Sequence, residues 1–382
     1  MCIKVRVQAG PMLLARKVLV CTLVIICVTV FTGCGTVQKT VEKTDDTGTE
    51  KTAEMEPEKT TEKEPEETIE TAPVVGLEDS TVLKVQSGPK SVELMPGGRR
   101  IFVNDLYGHK NFIFDADTYR QLMVIPLSDE PVETDFSEGG KLAWVSLYNS
   151  ARVVVVDTEA GRVVGEVPTG HIPKEVKVSP GGEWVYVANW NSNSVTVIDA
   201  VTRTAIMNIP VPGTPRGICF SPDGEFAYVC IMGGSTLCEV SIPAGHQVIR
   251  QIPCGSNPRH VVPSRYGSVL YVSNNSPGTI TVVDRAAGAV IDTIKVGRQA
   301  RTIALAPDGR YLFVCNYGDN TIGCVDLEAR AQVLTVPSSR PIGMAVSRQG
   351  DRLFISNYAP PQITVMGIVR QSPIREPSSG SL

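Results

Sequence analysis

Residues 215–229 read PRGICFSPDGEFAYV, and six other stretches of the chain repeat the same pattern. The clearest copies are IPKEVKVSPGGEWVYV at 172–187 and ARTIALAPDGRYLFV at 300–314. Each copy contains a turn that ends on a glycine, and these glycines are Gly98, Gly140, Gly182, Gly224, Gly267, Gly309 and Gly350. Their spacings are 42, 42, 42, 43, 42 and 41 residues. The chain therefore contains seven repeats of about 42 residues.

Each repeat divides into four short strands. In the third repeat, strands a to d are EVKVS, WVYVAN, SVTVID and AIMNIPV. The SPDG-type turn between strands a and b is favoured because proline presets φ and the closing glycine accepts a positive φ. Runs such as Val153–Val156 are apolar on both faces, which is typical of a sheet packed between two others. A period of this length with four strands per unit predicts an all-β, seven-bladed β-propeller over residues 80–370.

The two ends of the array complement each other. The seventh repeat has no strand d after ITVMGIV at 363–369. Before the first repeat, STVLKVQSG at 80–88 matches VIDTIKVG at 290–297, which is a strand d. We therefore predict that an N-terminal strand at about Thr81–Val85 completes the seventh blade, closes the ring and covers its open edge.

The N-terminus has the pattern of a secretory signal. Arg16 and Lys17 precede the apolar run Val18–Phe31, which is shorter than the roughly 20 residues of a spanning helix. The string FTGC that ends at Cys34 resembles a bacterial lipobox, which implies cleavage after residue 33 and acylation of Cys34. A plain signal peptide or an uncleaved anchor is the alternative. Met1 and Met12 both remain possible start sites, and Met12 would open the more ordinary signal peptide.

A polar segment separates this signal from the repeats. Between Thr36 and Pro73 the chain has 12 acidic residues and 5 lysines, a net charge of −7, and few apolar residues. Such a composition predicts a disordered, self-repelling tether over residues 34–79, and the tail 371–382 also reads as disordered. The repeats themselves are nearly neutral, which argues against a nucleic-acid partner. We therefore expect an extracytoplasmic protein anchored to the membrane by lipid on Cys34.

Four repeats share a short motif at strand b: VYVAN (185–189), LYVSN (270–274), LFVCN (312–316) and LFISN (353–357). These segments resemble the YVTN-repeat β-propeller family. The second and fourth repeats depart from the pattern, because WVSLY and YVCIM lack the asparagine. Members of that family are mostly secreted or envelope proteins, including surface-layer-like ones, and serve as binding or scaffolding modules. The resemblance implies no single reaction.

The start of strand a carries the most distinctive charge pattern. Antiparallel connectivity places the b–c loops and the d-to-a crossings on one face, which we call the top. The residues that begin strand a on this face are Lys90, Val132, Lys174, Arg216, Arg259, Arg301 and Ile342. Five of these seven are basic, and convergent cations in a funnel favour an anionic ligand. The alternative is that they are solvated residues paired with carboxylates such as Glu133 or Glu175.

Strands b and c each end on a recurrent polar residue. The asparagines that end strand b on the top face are Asn104, Asn189, Asn274, Asn316 and Asn357. We take Asn189, Asn274 and Asn316 as candidate ligand contacts; the alternative is a turn residue in the left-handed conformation. The aspartates that end strand c on the bottom face are Asp115, Asp157, Asp199, Asp284 and Asp326. We expect these aspartates to cap the c–d turns.

No motif for metal, haem or nucleophilic catalysis is present in the sequence. His109, His171 and His260 map to the top face without the spacing of shared metal ligands, so we expect three separate surface histidines. The chain has no CxxC, GxSxG or HExxH sequence. Cys230 and Cys238 flank one b–c hairpin; a disulfide between them is the alternative to buried free thiols. We predict no catalytic residue, no metal site and no cofactor.

These observations favour a non-enzymatic envelope lipoprotein with a monomeric propeller. Its expected partner at the top face is a small anionic molecule, a cell-wall glycan or an envelope protein. Two alternatives remain open. One is a propeller enzyme or redox subunit of the lactonase-like or haem-binding kind, and the other is a structural, surface-layer-like component.

Overall fold

A computed structural model describes residues 72–371 of the chain. These residues form seven separate four-stranded antiparallel sheets, which confirms the predicted seven-bladed β-propeller. The predicted signal peptide, Cys34, the tether up to residue 71 and residues 372–382 lie outside the described part. Within it, no helix has the length and hydropathy needed to cross a membrane.

The first strand of the chain, β1 (Val74–Lys84), belongs to the last blade. The strands of blades one to three are β2 (Pro89–Leu94), β3 (Arg100–Asp105), β4 (Lys110–Asp115) and β5 (Gln121–Pro126); β6 (Pro131–Ser137), β7 (Leu142–Leu147), β8 (Arg152–Asp157) and β9 (Arg162–Pro168); β10 (Pro173–Val178), β11 (Trp184–Asn189), β12 (Ser194–Asp199) and β13 (Thr204–Pro210). A 3-10 turn at Glu138–Gly140 lies between β6 and β7.

The strands of blades four to six are β14 (Pro215–Phe220), β15 (Phe226–Ile231), β16 (Thr236–Ser241) and β17 (Gln247–Pro253); β18 (Pro258–Pro263), β19 (Val269–Asn274), β20 (Thr279–Asp284) and β21 (Ala289–Lys295); β22 (Ala300–Leu305), β23 (Tyr311–Asn316), β24 (Thr321–Asp326) and β25 (Ala331–Pro337). Blade seven contains β26 (Pro341–Val346), β27 (Arg352–Tyr358), β28 (Pro361–Arg370) and β1. Each blade therefore follows the predicted order of strands a to d.

The repeated turn between strands a and b requires its glycine. All seven closing glycines have a positive φ, between +71° and +95°. In the fourth blade, for example, the Gly224 N–H donates a hydrogen bond of 2.9 Å to the Ser221 carbonyl oxygen. A side chain at such a position would be strained, since only glycine adopts this conformation without steric cost.

Apolar side chains from both faces of each sheet form the cores between blades. In β8, Val154 and Val156 pack with blade one, whereas Val153 and Val155 pack with blade three. All four valines are at most 1% exposed. The run of consecutive valines thus serves two cores, as the sequence predicted.

Strand β1 closes the ring, as predicted, but it is longer than expected. It pairs antiparallel with β28 from Val74 to Lys84, so it includes residues 74–79 that we had assigned to the tether. Val85, the expected last residue, follows the strand. The extension stabilises the seventh blade along most of its outer edge.

A bulge in β1 lets this strand contact two neighbouring blades. Leu77 and Leu83 are six residues apart and would lie on one face of a regular strand. The register shifts between Asp79 and Thr81, so that the two leucines lie on opposite faces. Leu77 packs with the core shared with blade six, and Leu83 packs with the core shared with blade one. The N-terminal strand thereby holds blades six, seven and one together.

Candidate functional site

The second residues of the inner strands converge on one cavity at the top of the propeller. The inner strands of neighbouring blades contact one another around the ring centre. The cavity has a volume of about 530 Å³. Six of the seven predicted positions line it: Lys90, Val132, Lys174, Arg259, Arg301 and Ile342. This volume is typical of small-molecule sites and is larger than the volume that an inorganic ion requires.

Arg216, the seventh position, does not line the cavity. It is 5% exposed, and its guanidinium donates hydrogen bonds to Glu133 at 2.7 Å and to Glu175 at 3.3 Å. The Nζ of Lys90 lies 3.4 Å from Glu133. Lys90 and Arg216 therefore follow the alternative interpretation, in which the basic residues pair with these two glutamates.

The other three basic residues have no carboxylate partner within residues 72–371. The Nζ of Lys174 lies 3.8 Å from the centroid of the Tyr148 ring. The guanidinium of Arg301 lies 3.5 Å from the centroid of the Tyr317 ring. A cation–π contact positions a cation without neutralising its charge. We call Lys174, Arg259 and Arg301 the cationic arc.

Aromatic side chains surround the cationic arc, and the sequence analysis had missed them. Tyr148, Trp190, Tyr317 and Tyr358 each directly follow the strand-b asparagine or its equivalent. Tyr107 adds a fifth ring: it meets Tyr358 edge to face at 5.9 Å, and their hydroxyl groups lie 2.7 Å apart. An aromatic residue directly after the asparagine position of strand b in four blades was the signal that would have predicted these rings.

Burial is the main cause of the lowered pKa values of the two lysines that line the cavity. Burial lowers the pKa of Lys174 to about 6, and the nearby Arg216 and Lys90 lower it further. Burial also lowers the pKa of Lys90 to about 7, against the opposing effect of Glu133. At neutral pH the Lys174 amine is therefore mostly uncharged, and a bound anion would favour its protonated form.

Below the cavity, charged side chains pair within the channel. The Nζ of Lys177 lies 3.5 Å from Glu175. Burial alone would lower the pKa of Lys177, but Asp135 and Glu175 outweigh it and raise the pKa. Glu93 lies in the same group, and burial raises its pKa to about 8. Glu175 pairs with Lys177 and Arg216, and among the described residues these carboxylates make no ion pair with the cationic arc.

The expectation of three separate surface histidines is wrong for His260. The Nδ1 of His260 accepts a 3.5 Å hydrogen bond from the Ile303 N–H inside the channel, and burial lowers its pKa to about 3. The third residue of an inner strand faces the neighbouring inner strand, which explains this position. His109 and His171 are exposed. The described residues contain no group of three His, Cys, Asp or Glu side chains arranged for a metal ion.

The strand-b asparagines are buried in the blades and do not line the cavity. All five are at most 1% exposed, and none has a positive φ, so the left-handed-turn alternative is also wrong. Their amides instead link strands and crossings. The Asn316 Nδ2 donates to Thr321 at 3.2 Å, and its Oδ1 accepts the Gly297 N–H at 3.1 Å.

Three of these asparagines press against a glycine of the preceding crossing. A Cβ at Gly170, Gly255 or Gly297 would lie 2.7, 2.4 and 2.5 Å from the amide carbon of Asn189, Asn274 and Asn316, respectively. The two residues of each pair are 19 apart in the sequence. The glycine is required because any side chain would displace the amide. The repeated asparagine is therefore a structural feature of the blade.

The strand-c aspartates cap the c–d turns, as predicted, and the cysteines follow the free-thiol alternative. The Asp157 carboxylate accepts the N–H groups of Glu159 at 3.0 Å and Ala160 at 2.8 Å, and the other four aspartates cap c–d turns in the same way. Cys230 lies opposite Leu237, and Cys238 lies opposite Val229, so the two thiols face opposite sides of the sheet. All six cysteines in the described residues are free.

Comparisons with known proteins support the propeller fold. The family model described as "Lactonase, 7-bladed beta-propeller" matches residues 248–372, about a third of the chain. The fold is similar to a chain of Kuenenia stuttgartiensis hydrazine synthase, with a TM-score of 0.68 and 21% identity, over 77% of this chain and 98% of that one. No curated protein matches the sequence. The chain is thus a seven-bladed β-propeller with partial sequence similarity to a lactonase family.

Proposed function

We propose that this propeller binds a small organic anion in the top cavity and is held outside the cytoplasmic membrane by lipid on Cys34. The observation that carries the binding proposal is the cationic arc: three basic side chains face one cavity and lack a carboxylate partner within residues 72–371. Cations in a concave, low-dielectric site focus the electrostatic potential and attract anions. A volume of about 530 Å³ accommodates a small organic anion.

Removal of two arginines should abolish binding. A ligand at 100 times its dissociation constant stabilises a protein by roughly 2.7 kcal/mol. We expect a panel of carboxylates and phosphates to raise the melting temperature of the wild type in low salt, and Arg259→Gln/Arg301→Gln to lose this shift. The matched control is Arg265→Gln/Arg348→Gln, which removes the same charge from exposed residues of the bottom turns. If both double variants keep the shift, the cationic arc is not the site.

Binding should strengthen as the pH falls from about 8 to about 6. The amines of Lys174 and Lys90, with pKa values of about 6 and about 7, gain a proton in this range, whereas a carboxylate ligand stays ionised. An anion stabilises the protonated amines, so its binding takes up protons. Calorimetry in buffers of different ionisation enthalpy measures this uptake. Lys174→Arg keeps its charge at every pH and should reduce the pH dependence to the part that Lys90 contributes; an unchanged profile would contradict this role of Lys174.

The anchor has a separate test. We expect the protein to incorporate an acyl-chain label in bacterial cells and to partition with membranes. Cys34→Ser should lose the label, because a serine hydroxyl cannot replace the thiol that carries the lipid. Incorporation of label into Cys34→Ser would show that another residue carries the lipid.

Lactone hydrolysis is the second candidate function, and the family match over residues 248–372 is the observation that favours it. The product of lactone hydrolysis is a hydroxy acid, which is itself an organic anion. Incubation with simple lactones distinguishes the two functions. Turnover that depends on the cavity residues would support the enzyme, whereas binding of the hydroxy acid without turnover supports the binding protein.

A further inference from the structure

The walls of the top cavity differ on its two sides. The cationic arc belongs to blades three, five and six. The inner strands of blades two and seven place uncharged Val132 and Ile342 at the same level. Between them, blade one contributes the tyrosine Tyr107, which is 58% exposed, and Lys90, whose ammonium is paired with Glu133. A ligand that fills the cavity therefore meets unpaired basic groups on one side, and on the other side an aromatic and apolar surface whose one basic group is already paired.

The guanidinium of Arg301 is held in place and has hydrogen-bond donors available for a carboxylate. One face of its guanidinium is stacked on Tyr317, and its Nε is buried without an acceptor within residues 72–371. Stacking occupies the face of a guanidinium and leaves its N–H edge free for two parallel hydrogen bonds. Arg259 occupies the equivalent position of the adjacent blade and makes no ion pair within the same residues.

The opposite side of the cavity, with Tyr107 and Tyr358, can contact the uncharged part of a ligand. Tyr107 and Tyr358 meet edge to face, and their joined hydroxyl groups fix both rings. Glu130, the one carboxylate in the described lining, also lies away from the inner strands of blades five and six, in the crossing between blades one and two. It would repel an anionic group placed there. The ligand's charge is thus directed to Arg259 and Arg301.

We infer that the cavity takes a ring-bearing organic carboxylate, with its carboxylate on Arg259 and Arg301 and its ring against Tyr107 and Tyr358. This inference rests on the proposed anion-binding function and adds the class of ligand. A small symmetric anion such as phosphate would occupy the cationic arc and leave the aromatic side unused. Both an aromatic acid and a cyclic sugar acid have the required chemistry.

Titration calorimetry with five probes tests this class: benzoate, galacturonate, acetate, inorganic phosphate and uncharged benzyl alcohol. We expect the better of the two ring carboxylates to bind about tenfold tighter than acetate or phosphate, since one aromatic contact contributes about this factor. Benzyl alcohol should not bind measurably. Benzoate as the tightest ligand would support an aromatic acid, and galacturonate as the tightest would support a sugar acid.

Variants separate the two sides of the cavity. Tyr107→Ala should lose most of the advantage of ring carboxylates over acetate, and Tyr266→Ala, an exposed tyrosine of a bottom turn, should lose none. Arg301→Gln should weaken every anion. If acetate and phosphate bind as tightly as both ring carboxylates, or if Tyr107→Ala changes nothing, the inference fails while anion binding stands. If no anion binds the wild type, both proposals fail.

Discussion

Replacing Leu77 and Leu83 together by alanine should destabilise the propeller by about 4–10 kcal/mol, since each buried Leu→Ala change costs about 2–5 kcal/mol. The two leucines are 9% and 5% exposed and pack in different cores, so their effects should add. A loss of this size approaches the whole stability of a typical protein, about 5–15 kcal/mol. Denaturant unfolding of the variant measures it.

The same strand provides the control for this experiment. Val75 and Val82 are 54% and 47% exposed on β1. Val75→Ala/Val82→Ala removes apolar groups from the same strand but should cost about 1 kcal/mol or less. Equal effects of the two double variants would show that β1 does not hold blades six, seven and one together through its buried faces.

Arg216→Met should cost about 3–5 kcal/mol at neutral pH, because it leaves the buried carboxylates of Glu133 and Glu175 without their shared partner. Burial alone would raise the pKa of Glu133, but Lys90 and Arg216 outweigh it and hold the pKa well below the ordinary value of 4.5. Glu133 therefore contributes stability above about pH 4.5, and this contribution is lost as the pH falls toward the folded pKa. The deficit of the variant should shrink over that same fall in pH.

A rescue and a control complete the test of Arg216. Adding Glu133→Gln to Arg216→Met removes the carboxylate nearest to the lost guanidinium and should restore part of the stability, while Glu175 keeps Lys177 as its partner. Arg152→Met breaks an ion pair in which both side chains are more than 40% exposed, and it should cost at most about 1 kcal/mol. Denaturant midpoints from pH 7 down to about pH 2 compare the variants, since the contribution of Glu133 is lost between about pH 4.5 and about pH 2. A deficit for Arg216→Met that does not change with pH would contradict the role of the two glutamates.

The repeat made most of the fold predictable. Seven turns with a positive-φ glycine, the alternating valines of β8 and the capping aspartates follow from local rules that act within one blade. The bulge in β1 does not follow from such rules. It depends on the two cores that Leu77 and Leu83 reach, and these cores are completed by strands more than 200 residues away.

The candidate site was predictable in outline only. Arg216 and Arg259 both follow a proline at the start of an inner strand, yet one is paired and the other is not. The difference comes from Glu133 and Glu175, which lie 83 and 41 residues before Arg216. No local pattern distinguishes the two arginines. The aromatic residues around the cationic arc, by contrast, were predictable, because Tyr317 and its equivalents directly follow the last residue of the strand-b motif.

The most direct test of anion binding in the top cavity is a crystal structure of the protein with 4-bromobenzoate, with data collected at the bromine absorption edge. We expect a bromine peak inside the top cavity, on the side of Tyr107 and Tyr358, and a carboxylate in contact with Arg259 and Arg301. A ligand found only elsewhere, for example at the bottom mouth beside Arg348, would contradict this expectation.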